Sequence, residues 1–328
     1  MKYLKQYAGA AALVATLLAG AGPAPAQTCY TGSDLEPAVL ASLQNAVHSY
    51  DQEAQTGNSA ALQPNADFEL GDLLAANQAL LSGTASIRSV YVLDNTAAGG
   101  QVNATGAARR AEFFCGVYNS PDKVDLVFDG LPPGRYGIVV EDMAGKTPAM
   151  VSWILRQTGS QWKVAGLYVK PKQIAGHDGQ WYIAQARGFR AKGQIHNAWL
   201  YYLVAEESIR PFPAISDPKL DTLYDEMQAV KPNDFPFGAP VELVSGGSTF
   251  KIAQVFATGV GDNLDVVVRY LEPDISDTAR TFHSNMEMIK AVVAKYPELR
   301  DAFAGIVARA VAPNGQDYGS MLAMKDVK

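Results

Sequence analysis

Small and large side chains alternate at helical spacing between Gly179 and Pro213, and this pattern predicts two helices that form a hairpin. Small residues let two helices approach closely, while large ones fill the space between them. Gly193 stands where the chain can turn back, and Pro211 and Pro213 end the second helix. The alternating residues are Ala184, Ala186, Ala191, Ala198 and Ala205 with Trp181, Tyr182, Phe189, Trp199 and Tyr202.

Before this hairpin, the spacing of hydrophobic residues changes from the three- and four-residue steps of a helix to the two-residue alternation of strands. The stripe from Leu40 to Tyr50 predicts an amphipathic helix, with Asp34 as its cap and Pro37 in its first turn. A second helix is predicted for Phe68–Leu81, and the glycine-rich stretch 95–106 is predicted to be a loop. The predicted strands then follow as a meander of antiparallel hairpins with helices on one face. They are Ile87–Leu93, Val124–Phe128, Tyr136–Val140, Val151–Leu155 and Trp162–Tyr168.

After the hairpin, a helix is predicted from Asp217 to Met227, and a proline-rich linker follows it. Beyond the linker, hydrophobic and polar residues alternate again, and this pattern predicts a second sheet. The stripe from Ala279 to Tyr296 predicts one helix that packs against this sheet. The predicted strands are Val241–Val244, Phe250–Ala257, Leu264–Leu271, Gly305–Val311 and Tyr318–Met324.

The sequence therefore predicts an α+β protein, in which an antiparallel sheet domain with N-terminal helices precedes a central helical hairpin and a second small α+β domain. Because β and α segments do not alternate regularly, the pattern argues against a doubly wound sheet. The predicted division is a signal peptide at 1–26, a cone-like domain at 27–175, the hairpin with its capping helix at 176–230, a linker at 231–240 and the C-terminal domain at 241–328.

Two segments carry a resemblance to known families. In the hairpin, Tyr182, Ala186, Phe189, Ala198, Tyr202 and Ala205 fall at the offsets of a tetratricopeptide unit, so residues 182–211 resemble one such unit in a single copy. The helix and strand order before it, with the closing hairpin SWILRQTGSQWKVAGLYVKP, resembles the cystatin-like or nuclear-transport-factor-like cone. The resemblances imply a binding architecture, while cone-like folds also host hydrolases and isomerases.

The N-terminus has the pattern of a secretory signal peptide. Lys2 and Lys5 precede a short apolar run, and Ala24-Pro25-Ala26 is a cleavage site, which predicts an exported protein, periplasmic or extracellular. The run is too short to span a bilayer, and no later stretch is a candidate, so no membrane insertion is predicted after cleavage.

The charge balance disfavours two classes of partner. The chain has 27 Lys and Arg against 33 Asp and Glu, a net charge of −6 at pH 7, and signal cleavage removes two of the lysines. A mildly acidic chain with scattered charges is a poor match for nucleic acid or an anionic membrane.

Cys29 and Cys115 are the two cysteines of the chain. In an oxidising compartment they are expected to form one disulfide, which stabilises by about 4 kcal/mol on the chain-entropy account. The alternative is a reactive thiol at Cys115, although the neighbouring Phe113 and Phe114 indicate an apolar setting that would raise its pKa.

No motif predicts a catalytic residue, a cofactor or a metal. The segment at Gly259 lacks the third glycine of a dinucleotide fingerprint, and none of the four histidines has metal-ligand spacing. Glu141 and Asp142 are adjacent on a strand and point to opposite faces, so they are not expected to cooperate as acid and base. Asp125 and Asp129 share one side of a strand, either as a solvated face or as the lining of a polar pocket.

The favoured function is therefore non-catalytic binding of a protein partner or a small apolar ligand. The alternative is a hydrolase- or isomerase-like enzyme that uses the cone interior, with a titratable pair such as Asp125 and Tyr136 or His177. Aromatic residues near the hairpin are the candidate binding residues, although most rings of this kind are core. These candidates are Trp153, Trp162, Tyr168, His177, Trp181 and Trp199.

Overall fold

The computed structural model describes residues 28–96 and 110–328. The predicted signal peptide and most of the predicted loop at 95–106 lie outside this range. Within it, the predicted α+β class is confirmed.

The described residues of the N-terminal part form three α-helices and seven strands. The helices are α1 (Pro37–Gln55), α2 (Ser59–Leu62) and α3 (Gly71–Leu81). The strands are β1 (Thr28–Thr31), β2 (Thr84–Asp94), β3 (Arg110–Cys115), β4 (Val124–Asp129), β5 (Arg135–Ala144), β6 (Ala149–Thr158) and β7 (Gln161–Pro171). The first sheet is antiparallel throughout, in the order β1-β2-β5-β6-β7.

The starts of the first and third helices differ from the prediction. Asp34 does not cap α1, because Pro37 occupies the first helical position and places the cap at Glu36, whose side chain makes no capping bond. The helix predicted from Phe68 begins at Gly71. The reason is local, since the side-chain amide of Gln63 donates to the carbonyl of Phe68 and accepts from the backbone N–H of Leu70, which fixes a non-helical turn.

The predicted meander is interrupted at β3 and β4, which are not part of the first sheet. They form a second sheet with β10 (Ile215–Ser216), in the order β10-β4-β3, so β4 does not pair with β5. The β4–β5 connection contains Pro132 and Pro133, and these residues have no N–H to offer to a tight hairpin.

Two hydrophobic cores therefore sandwich the first sheet. One lies between the sheet and α1 to α3, as predicted, and includes Leu43 and Trp153, which are both fully buried. The other lies between the first and second sheets and includes Phe113 and Phe212. The helix layer packs so closely that a Cβ on Gly137 would lie 2.2 Å from Leu43 Cδ2.

The predicted hairpin is confirmed as α4 (Gly179–Ala191) and α5 (Ile195–Ile209), preceded by the short strands β8 (Gln173–Ile174) and β9 (His177–Asp178). Gly193 makes the turn with a φ of 75°, a left-handed conformation that favours glycine. Helix α6 (Pro218–Gln228) follows, capped by Asp217.

The C-terminal sheet has the order β11-β12-β13-β14-β15. Its elements are β11 (Val241–Ser245), β12 (Ser248–Val260), β13 (Asn263–Leu271), α7 (Thr278–Lys295), β14 (Gly305–Val311) and β15 (Asp317–Ala323). The predicted hairpins are antiparallel, but β13 and β14 are parallel. The reason is α7, which lies between them in the chain and packs on the sheet, so their connection is a crossover.

A third core joins the helical hairpin to one face of the C-terminal sheet. It contains buried residues of α4, α5 and α6 together with those of α7 and β11 to β14. Helix α5 consequently lies between the two large sheets, in contact with β7 on one side and β12 on the other.

The predicted disulfide is confirmed. Cys29 on β1 is bonded to Cys115 on β3, so the bond links the first sheet to the second. Neither of the two cysteines is a free thiol. Among the described residues, no helix is long and apolar enough to cross a membrane.

Candidate functional site

A groove of about 830 Å³ runs between the two large sheets. One face of α5 contributes residues at helical steps, namely Leu203, Glu206, Glu207 and Arg210. The end of β7, with Lys170 and Pro171, and the turn from β8, with Ile174 and Ala175, form a second side. The segment from Phe256 to Gly259 of β12 forms the third side. We call this the central groove.

The charges of the central groove neutralise one another. Lys170 Nζ lies 2.6 Å from Glu207 Oε1, and Arg210 Nη2 lies 2.9 Å from Glu206 Oε1. Leu203 supplies half-buried apolar surface, and the buried side chains of Val204 and Phe212 lie beneath the lining. A groove with paired charges and an apolar lining favours an uncharged ligand, because a charged ligand would lose water without gaining a partner.

Strand β12 faces the central groove with its edge. Side chains alternate between the two faces of a strand, so four successive residues can line one groove only where the strand edge borders it. Phe256, Ala257, Thr258 and Gly259 all line the groove. The groove therefore meets backbone groups of β12 as well as side chains.

Three of the six predicted binding residues are buried in the cores. Trp153 is fully buried, and its indole N–H donates to Asp51 Oδ1 over 3.0 Å. The indole of Trp162 donates to Ser42 Oγ over 3.0 Å, and Trp199 packs edge-on against Phe237.

The other three predicted residues are closer to the surface, and two of them are in contact. His177 is exposed and stacks on Trp181, with ring centroids 3.7 Å apart and planes 6° from parallel. Tyr168 packs against Phe212, which lines the central groove. None of the six predicted residues is itself among the residues that line the groove.

A buried pair of carboxyl groups lies in the N-terminal part, between α1 and the first sheet. Asp51 of α1 and Glu141 of β5 are hydrogen-bonded to each other and are 6% and 2% exposed. Burial raises the pKa of Asp51 to about 6. Burial and the neighbouring charge of Asp51 raise the pKa of Glu141 to about 8. The pair therefore holds a proton at neutral pH, and both groups are shielded from solvent.

The predicted separation of Glu141 and Asp142 is confirmed. Glu141 faces the helix layer, whereas Asp142 on the other face of β5 forms ion pairs with Lys172 at 3.1 Å and Arg88 at 3.7 Å. Asp125 pairs with Lys123 at 3.3 Å, and the Tyr136 hydroxyl donates to the carbonyl of Pro132, so these two candidates have other partners.

His196 lies between two carboxylates in the C-terminal part. Its Nδ1 is 2.6 Å from Glu298 Oε1 and its Nε2 is 2.8 Å from Asp234 Oδ1. The ring packs against Phe235 and Tyr296. Nε2 thus holds the segment before β11 against α5, and Nδ1 holds the turn that follows α7, which is a structural role rather than that of a free general base.

Within the ranges 28–96 and 110–328, no cluster of three His, Cys, Asp or Glu side chains is arranged to hold a metal ion. No protein-family model, curated protein or solved structure matches this chain.

Sequence reasoning missed both Asp51 and the central groove. A signal for Asp51 was present, because the four-residue step from Leu43 to Val47 continues to Asp51 and places a carboxyl group on the apolar side of α1. The groove had a weaker signal, because β11 is much shorter than its neighbour β12 and leaves part of that strand without a partner. The three sides of the groove come from segments far apart in the chain.

Proposed function

We propose that this chain is an exported, non-catalytic binding protein and that the central groove holds a segment of a protein partner. The groove lies where two large sheets meet across α5, and ligand sites occur preferentially at such junctions. The observation that carries the proposal is the combination of an apolar lining with a rim whose four charges are already paired.

The disulfide supports the exported location. A bond between β1 and β3 persists in an oxidising compartment and is rare where thiols are kept reduced. It agrees with the cleavage pattern at the N-terminus, which is the separate basis for this part of the proposal.

A second candidate function rests on Asp51 and Glu141. Two carboxyl groups in contact, one protonated and one ionised, are the arrangement that acid–base catalysis needs. This candidate requires α1 to move away from the sheet, because both groups are less than a tenth exposed. It predicts that an activity found with ester or glycoside substrates disappears in Glu141→Gln.

The groove proposal is tested by selecting a display library of random peptides on the immobilised, disulfide-intact chain. We expect the native chain to enrich peptides that bind the groove, and Leu203→Lys to lose them because it places a charge on the apolar lining. Phe256→Ser is a second groove variant at a half-exposed position, where the cost to folding is small.

Met321→Lys is the matched control. Met321 is 57% exposed on β15 of the same sheet and does not line the groove, so this variant should enrich the same peptides as the native chain. Circular dichroism checks the fold of each variant. Enrichment of the same peptides by the groove variants, or no enrichment by the native chain, would overturn the proposal.

A further inference from the structure

The C-terminal half of β12 has a strand partner on one side only. Strand β11 pairs with β12 from Ser248 to Ile252 and ends there. From Gln254 to Val260, β12 pairs with β13 alone among the residues that the structure describes. In a strand of this kind the N–H and C=O groups of alternate residues point away from the single partner, towards the open side.

The open edge begins at a β-bulge between Ile252 and Gln254, but it lacks the charged residues and proline that usually protect such an edge. Natural proteins place charges or proline on exposed edge strands, since an unprotected row of backbone groups pairs with other chains. Strand β7, which borders the same groove, carries Lys163, Lys170 and Pro171. The segment from Ile252 to Val260, IAQVFATGV, contains no charged residue and no proline.

The open edge is also recessed. Its residues from Phe256 to Gly259 form one side of the central groove, with α5 and the end of β7 on the other sides. At one end the turn after β8 closes the groove, because a Cβ on Gly259 would lie 3.3 Å from the backbone nitrogen of Ala175. A single extended segment can enter such a groove, whereas the β12 edge of a second copy is recessed in the same way and does not meet it.

We propose that the partner segment binds as an added β-strand, paired with the open edge of β12 from Gln254 to Thr258. This inference rests on the proposed function and names the conformation of its ligand. Main-chain hydrogen bonds supply affinity in binding of this kind, and pockets for alternate side chains supply specificity.

The surroundings define the chemistry of the segment. Five paired residues span roughly 17 Å of extended chain. Side chains on one face of the segment meet Leu203 of α5, and those on the other face lie beside Phe256. The segment is therefore uncharged over its central residues and apolar on both faces.

The test uses peptides selected on the native chain and their backbone N-methylated forms. N-methylation removes one N–H and leaves every side chain unchanged. We expect methylation at alternate positions, those facing β12, to weaken binding about 10-fold for each site, and methylation at the intervening positions to have little effect. Isothermal titration calorimetry measures the affinities, and amide hydrogen exchange should slow on binding at alternate residues from 254 to 258.

Thr258→Lys provides a test on the protein side, because lysine on an edge strand blocks pairing. We expect it to weaken peptide binding about 10-fold, with Met321→Lys as the unaffected control. If no peptide is selected, the proposed function itself fails. If peptides bind in the groove and N-methylation has no alternating effect, strand addition alone is overturned, and side-chain binding of an apolar ligand replaces it. Dimerisation that Thr258→Lys abolishes would instead identify a second copy as the occupant.

Discussion

At the scale of single residues, the buried carboxyl pair is an electrostatic cost of the fold. Trp153 donates one hydrogen bond to Asp51, but Glu141 Oε2 has no hydrogen-bond partner among the described residues. A second negative charge there would be desolvated and close to Asp51, which explains why one proton is retained.

This pair makes stability depend on pH. In the unfolded chain, Asp51 and Glu141 lose their protons near 3.8 and 4.5, whereas in the fold these values rise to about 6 and about 8. Below about pH 4 the folded and unfolded states both hold both protons, so the pair adds no pH dependence there. Between about pH 4 and pH 8 the folded state binds more protons than the unfolded state, so the free energy of unfolding falls as pH rises.

Glu141→Gln is expected to flatten this dependence and to stabilise the protein by about 1–3 kcal/mol at pH 8, because the amide needs no proton to stay neutral. Urea titrations at a series of pH values measure the effect. Asp142→Asn is the control, since Asp142 lies on the other face of the same strand and should leave the slope unchanged. A slope that Glu141→Gln leaves intact would show that the pair is not its source.

At the scale of elements, the close approach of α1 to the first sheet depends on a missing side chain. A Cβ on Gly137 would lie 2.2 Å from Leu43 Cδ2 and 3.0 Å from Leu43 Cδ1, and Leu43 is fully buried. We expect Gly137→Ala to destabilise by about 1–3 kcal/mol through overpacking. Gly166→Ala in the same sheet is the control, because a Cβ on Gly166 would lie 3.4 Å from its nearest neighbour, Ile154 Cβ, which is an ordinary contact distance.

A double-mutant cycle separates overpacking from a change in the strand itself. Leu43→Ala alone leaves a cavity and costs about 2–5 kcal/mol. In that background Gly137→Ala should become nearly neutral, because the added methyl group enters the space that Leu43 vacates. Additive effects of the two substitutions, measured by denaturant unfolding, would contradict this account of the contact.

Most elements were predictable from periodicity, since stripes such as Leu43 to Val47 on α1 define a buried face. The departures have local or long-range causes that periodicity does not contain. The Gln63 side chain delays the start of α3, and the partner of β4 is a two-residue strand, β10, from beyond the hairpin. The parallel pairing of β13 and β14 depends on which way α7 crosses the sheet.

The candidate site was less predictable than the fold. The aromatic pattern predicts Trp153, Trp162 and Trp199 as binding residues, but all three are buried in the cores. The open edge had a sequence signal in the predicted strands, because Val241–Val244 is half as long as Phe250–Ala257. That difference leaves part of one strand unpaired, but the position of α5 beside it follows only from the tertiary packing.

At the scale of the whole molecule, the disulfide ties together two sheets that share one core. Cys29 and Cys115 are 86 residues apart in the chain, and β1 and β3 lie on opposite sides of that core. Replacing both cysteines by serine is expected to lower the free energy of unfolding by about 2–4 kcal/mol, because the unfolded chain regains the freedom that the closed loop removes.

Guanidinium unfolding of the native and double-serine chains measures this loss. Reducing agent should destabilise the native chain by a similar amount and leave the double-serine chain unaffected. Equal stability of the two chains under oxidising conditions would mean that the bond constrains an already compact unfolded state.

The central groove is assembled from β7, α5 and β12, which are distant in sequence; β7 belongs to the core between the first sheet and α1 to α3, whereas α5 and β12 share the third core. Neither half of the polypeptide can display a complete groove alone, so a newly synthesised chain is unable to capture its ligand until both halves have matured and docked. Ligand binding therefore occurs only in chains whose two halves have folded and docked. By mass action, a bound ligand also stabilises the docked arrangement of the two halves.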